Sequence, residues 1–397
     1  MLLNQPRLLE RMADLQLDAV VATAPENVTY LSGFWALSQW IRRGPQVYVV
    51  WPAVGKGVPE IITSTSTLDL LADQTPWVSN VRRYGDFHVE VDPGMAEDPV
   101  DQRHIALRDA PAYRDALMAL VTSLAEQGLT AARIAIDETG LEPSHMGELK
   151  MRLPNITWVP AAGLFRAVRA VKTEEEIDRL RQVAQISERS IQAALAVARE
   201  GARELDLARA FHIQTIKDGG LPVLGCVGFG ERSALANVQP SERRLRAGEI
   251  IRFDVGGRYQ HYRADIARNA VLGAAPPEAR RLHHALLRGV QHACEIIRPG
   301  MSAAGLFEEV TSVVQKEGIA HYKRDHVGHG IGLDGYDAPS LSVRSNDTLE
   351  EGMVLCIETP YYEIGRWGLQ VEDMIVVRRD GAERLMMTDG NLMEVPS

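Results

Sequence analysis

"IIRFDVGGRYQHYRADIARNAVLG", residues 250–273, decides the fold. Two apolar runs of strand length flank a Gly-Gly pair and a short polar link, and they read as two strands. Asp254 sits inside the first run and Asp265 heads the second. Strands of this composition bury at least one face, and a lone buried carboxylate is costly. The anomaly recurs downstream, where Glu358 follows "MVLCI" (353–357) and Glu372 lies within "LQVEDMIVV" (369–377). A single such acid is explained by an ion pair. Four, from four strand segments, call for a shared source of positive charge, and no matching set of four lysines or arginines is expected in the strand interiors. Hard oxygen ligands neutralise divalent cations, and one carboxylate can bridge two ions. The nitrogen ligand expected beside them is His329, in "HVGHGIGLDGYDAP" (326–339), where flanking glycines allow tight turning and close approach. His326, three residues earlier, reads as a structural or supporting residue.

The bulk properties fit a soluble globular protein. At 397 residues the chain is too long for one small core, so two domains are expected. A formal net charge of −10 argues against nucleic acid or an anionic membrane as partner, since both reward basic surfaces. No apolar run reaches the roughly 18 residues of a membrane span. The N-terminus reads as an amphipathic helix with Leu8, Met12 and Leu15 on one face, not as a signal peptide. Cys226, Cys294 and Cys356 are far apart and form no CxxC pair, which fits reduced, buried thiols in the cytoplasm. Cys356 precedes Glu358 by two residues and shares its strand face.

Residues 1–165 alternate helices and strands, the pattern of an α/β domain. Residues 87–111, acidic and proline-bearing, read as an exposed loop or insertion. "AYRDALMALVTSLAEQG" (112–128) reads as one helix. The texture changes at "GLFRAVRAVK" (163–172), so a second domain is expected over 166–397. It opens on a long helix capped by Thr173 and Glu176 and ended by Gly201, with Ile177, Leu180, Ala184, Ile191, Leu195 and Ala198 on one face. Helices followed mainly by strands indicate an α+β domain. The "GCVGFG" run (225–230) lacks the strand–helix context of a dinucleotide fingerprint.

The ordered set resembles the metal centre of the "pita-bread" superfamily, which includes aminopeptidase P, prolidase, methionine aminopeptidase and creatinase. Asp254 and Asp265 stand eleven apart, His329 lies in "GHGIGLD", and Glu358 ("CIET") and Glu372 ("VEDM") stand fourteen apart. "DAVVATAPENVTYLSGF" (18–34) and "RAVKTEEEIDRLRQVAQIS" (169–187) resemble the openings of the two domains of the prolidase and aminopeptidase P branch. The resemblance implies an α+β pita-bread catalytic domain preceded by an α/β creatinase-like N-terminal domain. It implies two divalent metal ions, with Asp265 and Glu372 each bridging both, Asp254 on one, and His329 and Glu358 on the other. Manganese is the expected metal, with cobalt, zinc and iron also compatible, and no other cofactor is expected. Glu358 would also handle the proton in hydrolysis of a C–N bond in a short peptide or amino-acid derivative. A homodimer is implied as well.

Three positions depart from the peptidase pattern. A histidine is expected seven residues after His329, and Tyr336 stands there. A second is expected in the loop "SALANVQPSERRL" (233–245), where Asn237 aligns. An arginine is expected two residues before Glu372, and Gln370 stands there. Tyrosine and asparagine donate hydrogen bonds but do not carry imidazolium charge near neutral pH. Tyr336 and Asn237 are therefore candidate catalytic residues of altered character. The main expectation is Xaa-Pro dipeptidase or aminopeptidase P chemistry. The rivals are a metal-dependent hydrolase or lyase of a small non-peptide metabolite and a catalytically silent binding module. Of lower weight, Trp35, Trp40, Arg42 and Arg43 read as a surface or interface cluster, and His261 and Tyr262 as solvent-facing.

Overall fold

The first helix, Gln5–Asp14, is capped by the Asn4 side chain and buries Leu8 and Met12. Leu15 falls just past its end and is exposed, so the predicted apolar stripe is one residue shorter. The structure is a computed structural model that describes residues 1–41, 44–92, 94 and 96–396. Arg42 and Arg43 of the expected Trp/Arg cluster lie outside these. The chain divides into two units, Met1–Val168 and Arg169–Ser397.

The first unit is built on a seven-stranded mixed sheet whose middle strands, Ala19–Ala22 and Tyr48–Pro52, are wholly buried. Two local expectations need correction. The helix expected from Ala112 begins at Ala116, because Asp115 accepts from the Met118 amide and serves as N-cap, while Ala112–Tyr113 is a short strand. Within 87–111, Pro99–Asp109 is helical, with Asp98 as its N-cap and Pro99 at the first position.

The second unit opens with helix Glu174–Leu195, started by the predicted Thr173–Glu176 capping box. It ends six residues before Gly201. The ten-stranded sheet that follows carries the site. Its path runs Tyr262–Arg263, Ile250–Tyr259, Ile266–Leu272, Trp367–Arg378, Val354–Glu363, Gly328–Gly330 and Asp337–Ser340. Leu221–Phe229 pairs with the Asp254 strand. Helices Pro277–Ile296 and Ala303–Lys316 contribute Leu282, Leu286, Val290, Leu306 and Val310 to an apolar core completed by Leu355, Ile357, Val371 and Ile375 from the sheet. At about 25 cal/mol per Å² of apolar area removed from water, burial of this kind is the main force that holds the sheet in register. Tyr262 is fully buried, not solvent-facing, and its hydroxyl donates to Glu176 at 2.9 Å.

Candidate metal centre

Strand register explains how residues more than a hundred positions apart meet. Asp254 and Glu372 both pair with Ala267, and Glu372 pairs with Glu358. Directly opposite residues point to the same face, so Asp254, Glu372 and Glu358 form one row across four strands. Asp265 lies two residues before Ala267 and shares its side. His329 pairs with Cys356, two residues before Glu358, which sets the imidazole one step along the same face. The strand that carries His329 can lie there only because its neighbours are glycines. A Cβ on Gly328, whose φ is +143°, would fall 2.0 Å from the Cys356 carbonyl oxygen, and one on Gly330 2.1 Å from that of Ala338.

Carboxylate oxygens of Asp254, Asp265 and Glu372 lie within 4.8 Å of one another, as do donor atoms of His329, Cys356 and Glu372. His329 Nε2 stands 3.8 Å from Asp265 Oδ2. Its Nδ1 lies 3.0 Å from the Gly330 carbonyl oxygen, which can only accept. Nδ1 therefore carries the proton in the neutral ring, and Nε2 turns a lone pair toward the acids. Nε2, Asp265 Oδ1 and Glu372 Oε1 are buried and have no hydrogen-bond partner among the described residues. Three buried electron-pair donors without a hydrogen-bond partner match the donor set of a divalent cation.

The electrostatics agree. Burial raises the pKa of Asp254, against the pull of Arg252. Burial and then repulsion from neighbouring carboxylates push Asp265 and Glu372 well above the usual range. Burial carries Glu358 up to about 7, opposed mainly by the Arg324 charge. Burial holds His329 down at about 4, so its ring is neutral and free to ligate.

Residues around the ligands sharpen the picture. Glu358 is gripped on both oxygens: His326 Nδ1 lies 3.2 Å from Oε1, and the Gln370 amide donates to Oε2 at 3.4 Å. The same amide nitrogen donates to Glu372 Oε2 at 3.3 Å. His326 is thus a direct neighbour of a predicted ligand. The Tyr336 ring stacks on His329, with centroids 4.0 Å apart at 27°, while more than half of Tyr336 stays exposed. Burial and the four nearby carboxylates push its hydroxyl above the usual range, so it remains a protonated donor. Asn237 lies on an exposed turn, and its side chain makes no hydrogen bond among the described residues. No hydrogen bond ties that side chain to the acids among the described residues, although the Leu235 and Ala236 carbonyls just before it accept from Arg252.

The strands do supply one guanidinium beside these acids, Arg252, short of the matching set of four that the acids would need. It is fully buried in the Asp254 strand. Its guanidinium donates to Gln370 Oε1 at 2.7 Å, Asp254 Oδ2 at 3.3 Å, and the Leu235 and Ala236 carbonyls at 2.7 and 3.0 Å. A guanidinium therefore does reach position 370, from a strand 118 residues earlier in the chain and not from residue 370 itself. The signal was present as an arginine inside "IIRFDV", the same anomaly that exposed the acids. One guanidinium still leaves most of the carboxylate charge uncompensated.

Comparison with known proteins agrees with this chemistry. Residues 178–379, just over half of the chain, match metallopeptidase family M24, and residues 5–171 match the creatinase/prolidase N-terminal domain. The Xaa-Pro dipeptidase of Pyrococcus furiosus is 29% identical over 232 residues, covering 58% of this chain and 67% of that one. The solved dipeptidase PepE of Mycobacterium ulcerans superposes with a TM-score of 0.77 at 26% identity, covering 99% of this chain and 98% of that one. An Xaa-Pro dipeptidase from Bacillus anthracis shares the fold, with a TM-score of 0.80 at 21% identity and 98% coverage of both chains. The acid-lined sheet floor and these matches lead to one conclusion: the chain belongs to metallopeptidase family M24, a metal-dependent hydrolase with the pita-bread fold.

Proposed function

We propose that this protein hydrolyses the C–N bond of short peptides of the Xaa-Pro type. It would use two divalent cations held by Asp254, Asp265, His329, Glu358 and Glu372, with Asp265 and Glu372 shared between them. The observation that carries the reading is the convergence of the partnerless buried atoms Asp265 Oδ1, Glu372 Oε1 and His329 Nε2. Dications in this place supply Lewis acidity toward a carbonyl oxygen and make water nucleophilic at neutral pH. The protein's own groups do the rest. Glu358 is placed to take a proton from water and pass it to the leaving nitrogen, and His326, 3.2 Å from its Oε1, steadies its carboxyl group. The Gln370 amide, itself fixed by Arg252 and Tyr362, keeps Glu358 and Glu372 aligned. Tyr336, stacked over the ligand imidazole, offers a neutral hydroxyl to oxygen charge that develops on the substrate. The exposed turn at Asn237 borders the substrate. Manganese fits the oxygen-rich set best. The chain acts as a cytoplasmic homodimer.

The position of Tyr336 supports a second reading on the same scaffold, in which the substrate is a small non-peptide amide. A histidine would be charged or neutral near pH 7, whereas this hydroxyl stays neutral, which suits a different leaving group. The test is kcat/KM for manganese-loaded protein on a panel of Xaa-Pro dipeptides and non-peptide amides of similar size, alongside Tyr336→His. The main reading predicts turnover of the dipeptides by the native protein. Turnover of a non-peptide amide alone, with dipeptide activity appearing only in Tyr336→His, would establish the second.

A further inference from the structure

We propose that Arg324 anchors a carboxylate on the leaving fragment of the substrate, which restricts the site to peptides or acyl amino acids with a free C-terminal carboxylate. The inference deepens the Xaa-Pro reading above and rests on it. Arg324 belongs to the segment that leads into the His329 strand. Three residues on, the Val327 carbonyl accepts from the Glu358 amide at 2.9 Å, so this segment runs beside the strand that carries the proposed base. Arg324 is half-buried, and its guanidinium carbon stands 5.8 Å from the centroid of the Tyr362 ring. Tyr362 lies four residues past Glu358 on one strand and shares its face. Its hydroxyl donates to Gln370 Oε1 at 3.0 Å, which places it over the same floor as the acids.

The Tyr362 ring meets two guanidinium groups, and they differ in their partners. Arg252, 5.1 Å from the ring, donates to Gln370, Asp254 and two backbone carbonyls. The Arg324 guanidinium makes no hydrogen bond and no ion pair among the described residues, although its Nε is buried. A planar cation with an open fork, held on a ring beside the reacting groups, calls for an anion that the chain itself does not supply.

Position selects the anion. Along the strand Val354–Glu363, Cys356 faces His329, Glu358 follows, and Tyr362 with Arg324 lies beyond. The Tyr336 ring stacks at the His329 end. With the acyl oxygen turned toward the Tyr336 hydroxyl and the leaving nitrogen at Glu358, the leaving fragment points to Arg324. In an amino or imino acid the carbon next to that nitrogen bears the carboxylate, which is the group a guanidinium fork matches.

The test is kcat/KM of metal-loaded protein for an Xaa-Pro dipeptide and for its C-terminal amide, which lacks the negative charge. The native protein is expected to prefer the acid by about 10–100-fold. In Arg324→Gln the two rates should come within about three-fold of each other, mostly through a higher KM for the acid. Equal turnover of acid and amide by the native protein overturns the carboxylate subsite and leaves the Xaa-Pro reading standing. An acid preference that survives in Arg324→Gln overturns the role of Arg324, since another group would then hold the carboxylate. Turnover of neither peptide by the native protein overturns the Xaa-Pro reading and the proposal together. Arg324→Met, which keeps an unbranched stem against Tyr362, takes the place of Arg324→Gln should that variant fail to fold.

Discussion

Glu372 and Asp373 are neighbours on one strand and face opposite sides of it, and their surroundings differ in kind. Asp373 joins a buried cluster that neutralises itself. Arg268 reaches Asp373 at 2.8 Å and Glu188 at 3.3 Å, Arg384 Nε donates to Asp373 at 3.1 Å, and the Met387 and Thr388 amides donate to Glu188. Two acids there meet two guanidinium groups. Glu372 joins three other carboxylates and an imidazole, and Arg252 is the one guanidinium paired with them among the described residues. Burial of acid is therefore not in itself the mark of a metal site, since this sheet buries acid on both faces. The mark is acid buried without its cation.

Substitutions on the two faces test that distinction. Glu358→Gln keeps a polar side chain of the same shape but cannot move a proton. It should lower kcat by about 10²–10⁴-fold in metal-loaded protein, and activity within a few-fold of native would remove Glu358 from the chemistry. Asp373→Asn breaks a matched buried network. It should cost about 3–5 kcal/mol in denaturant melts, with or without metal. Glu372→Gln replaces a carboxyl group whose pKa burial raises well above the usual range when no metal is bound. Its metal-free stability should stay within about 1 kcal/mol of native. If Glu372→Gln and Asp373→Asn destabilise the metal-free protein equally, the contrast between the faces fails.

Metal itself separates the faces next. An ion present at 100 times its dissociation constant should stabilise the native protein by about 2.7 kcal/mol and leave Glu372→Gln unmoved. A last test is the pH dependence. The carboxyl of Glu358 titrates near 7 in the folded metal-free protein against an ordinary 4.5. Between those values the folded state holds more protons than the unfolded one, so this group makes stability fall as pH rises from about 4.5 to about 7 and adds no slope above that. A cation displaces the proton, so melting temperatures measured with metal should lose that part of the slope.

Much of this site is legible in the sequence because burial and charge conflict openly there. Asp254, Glu358 and Glu372 stand out from the apolar runs around them, and Thr173 with Glu176 announces the catalytic unit's first helix. What stays hidden depends on register. Nothing in the chain order states that Ala267 is flanked by both Asp254 and Glu372, or that Cys356 lies opposite His329. The three-residue strand Gly328–Gly330 is too short and too glycine-rich to register as a strand by periodicity. The role of Arg252 stays hidden because its partners, Gln370 and the Leu235 and Ala236 carbonyls, come from distant segments. The helix at Pro99–Asp109 buries none of its residues, so it carries no apolar stripe to betray it.

The central claim is that the unneutralised acids hold cations, and metal analysis tests it most directly. After incubation of the purified chain with Mn²⁺ and removal of free ion, the account predicts about two ions per chain for the native protein, as a dinuclear centre requires, and fewer for Glu372→Gln. A native protein that retains no metal, and whose melting temperature is unchanged by added Mn²⁺, Co²⁺ or Zn²⁺, would contradict it.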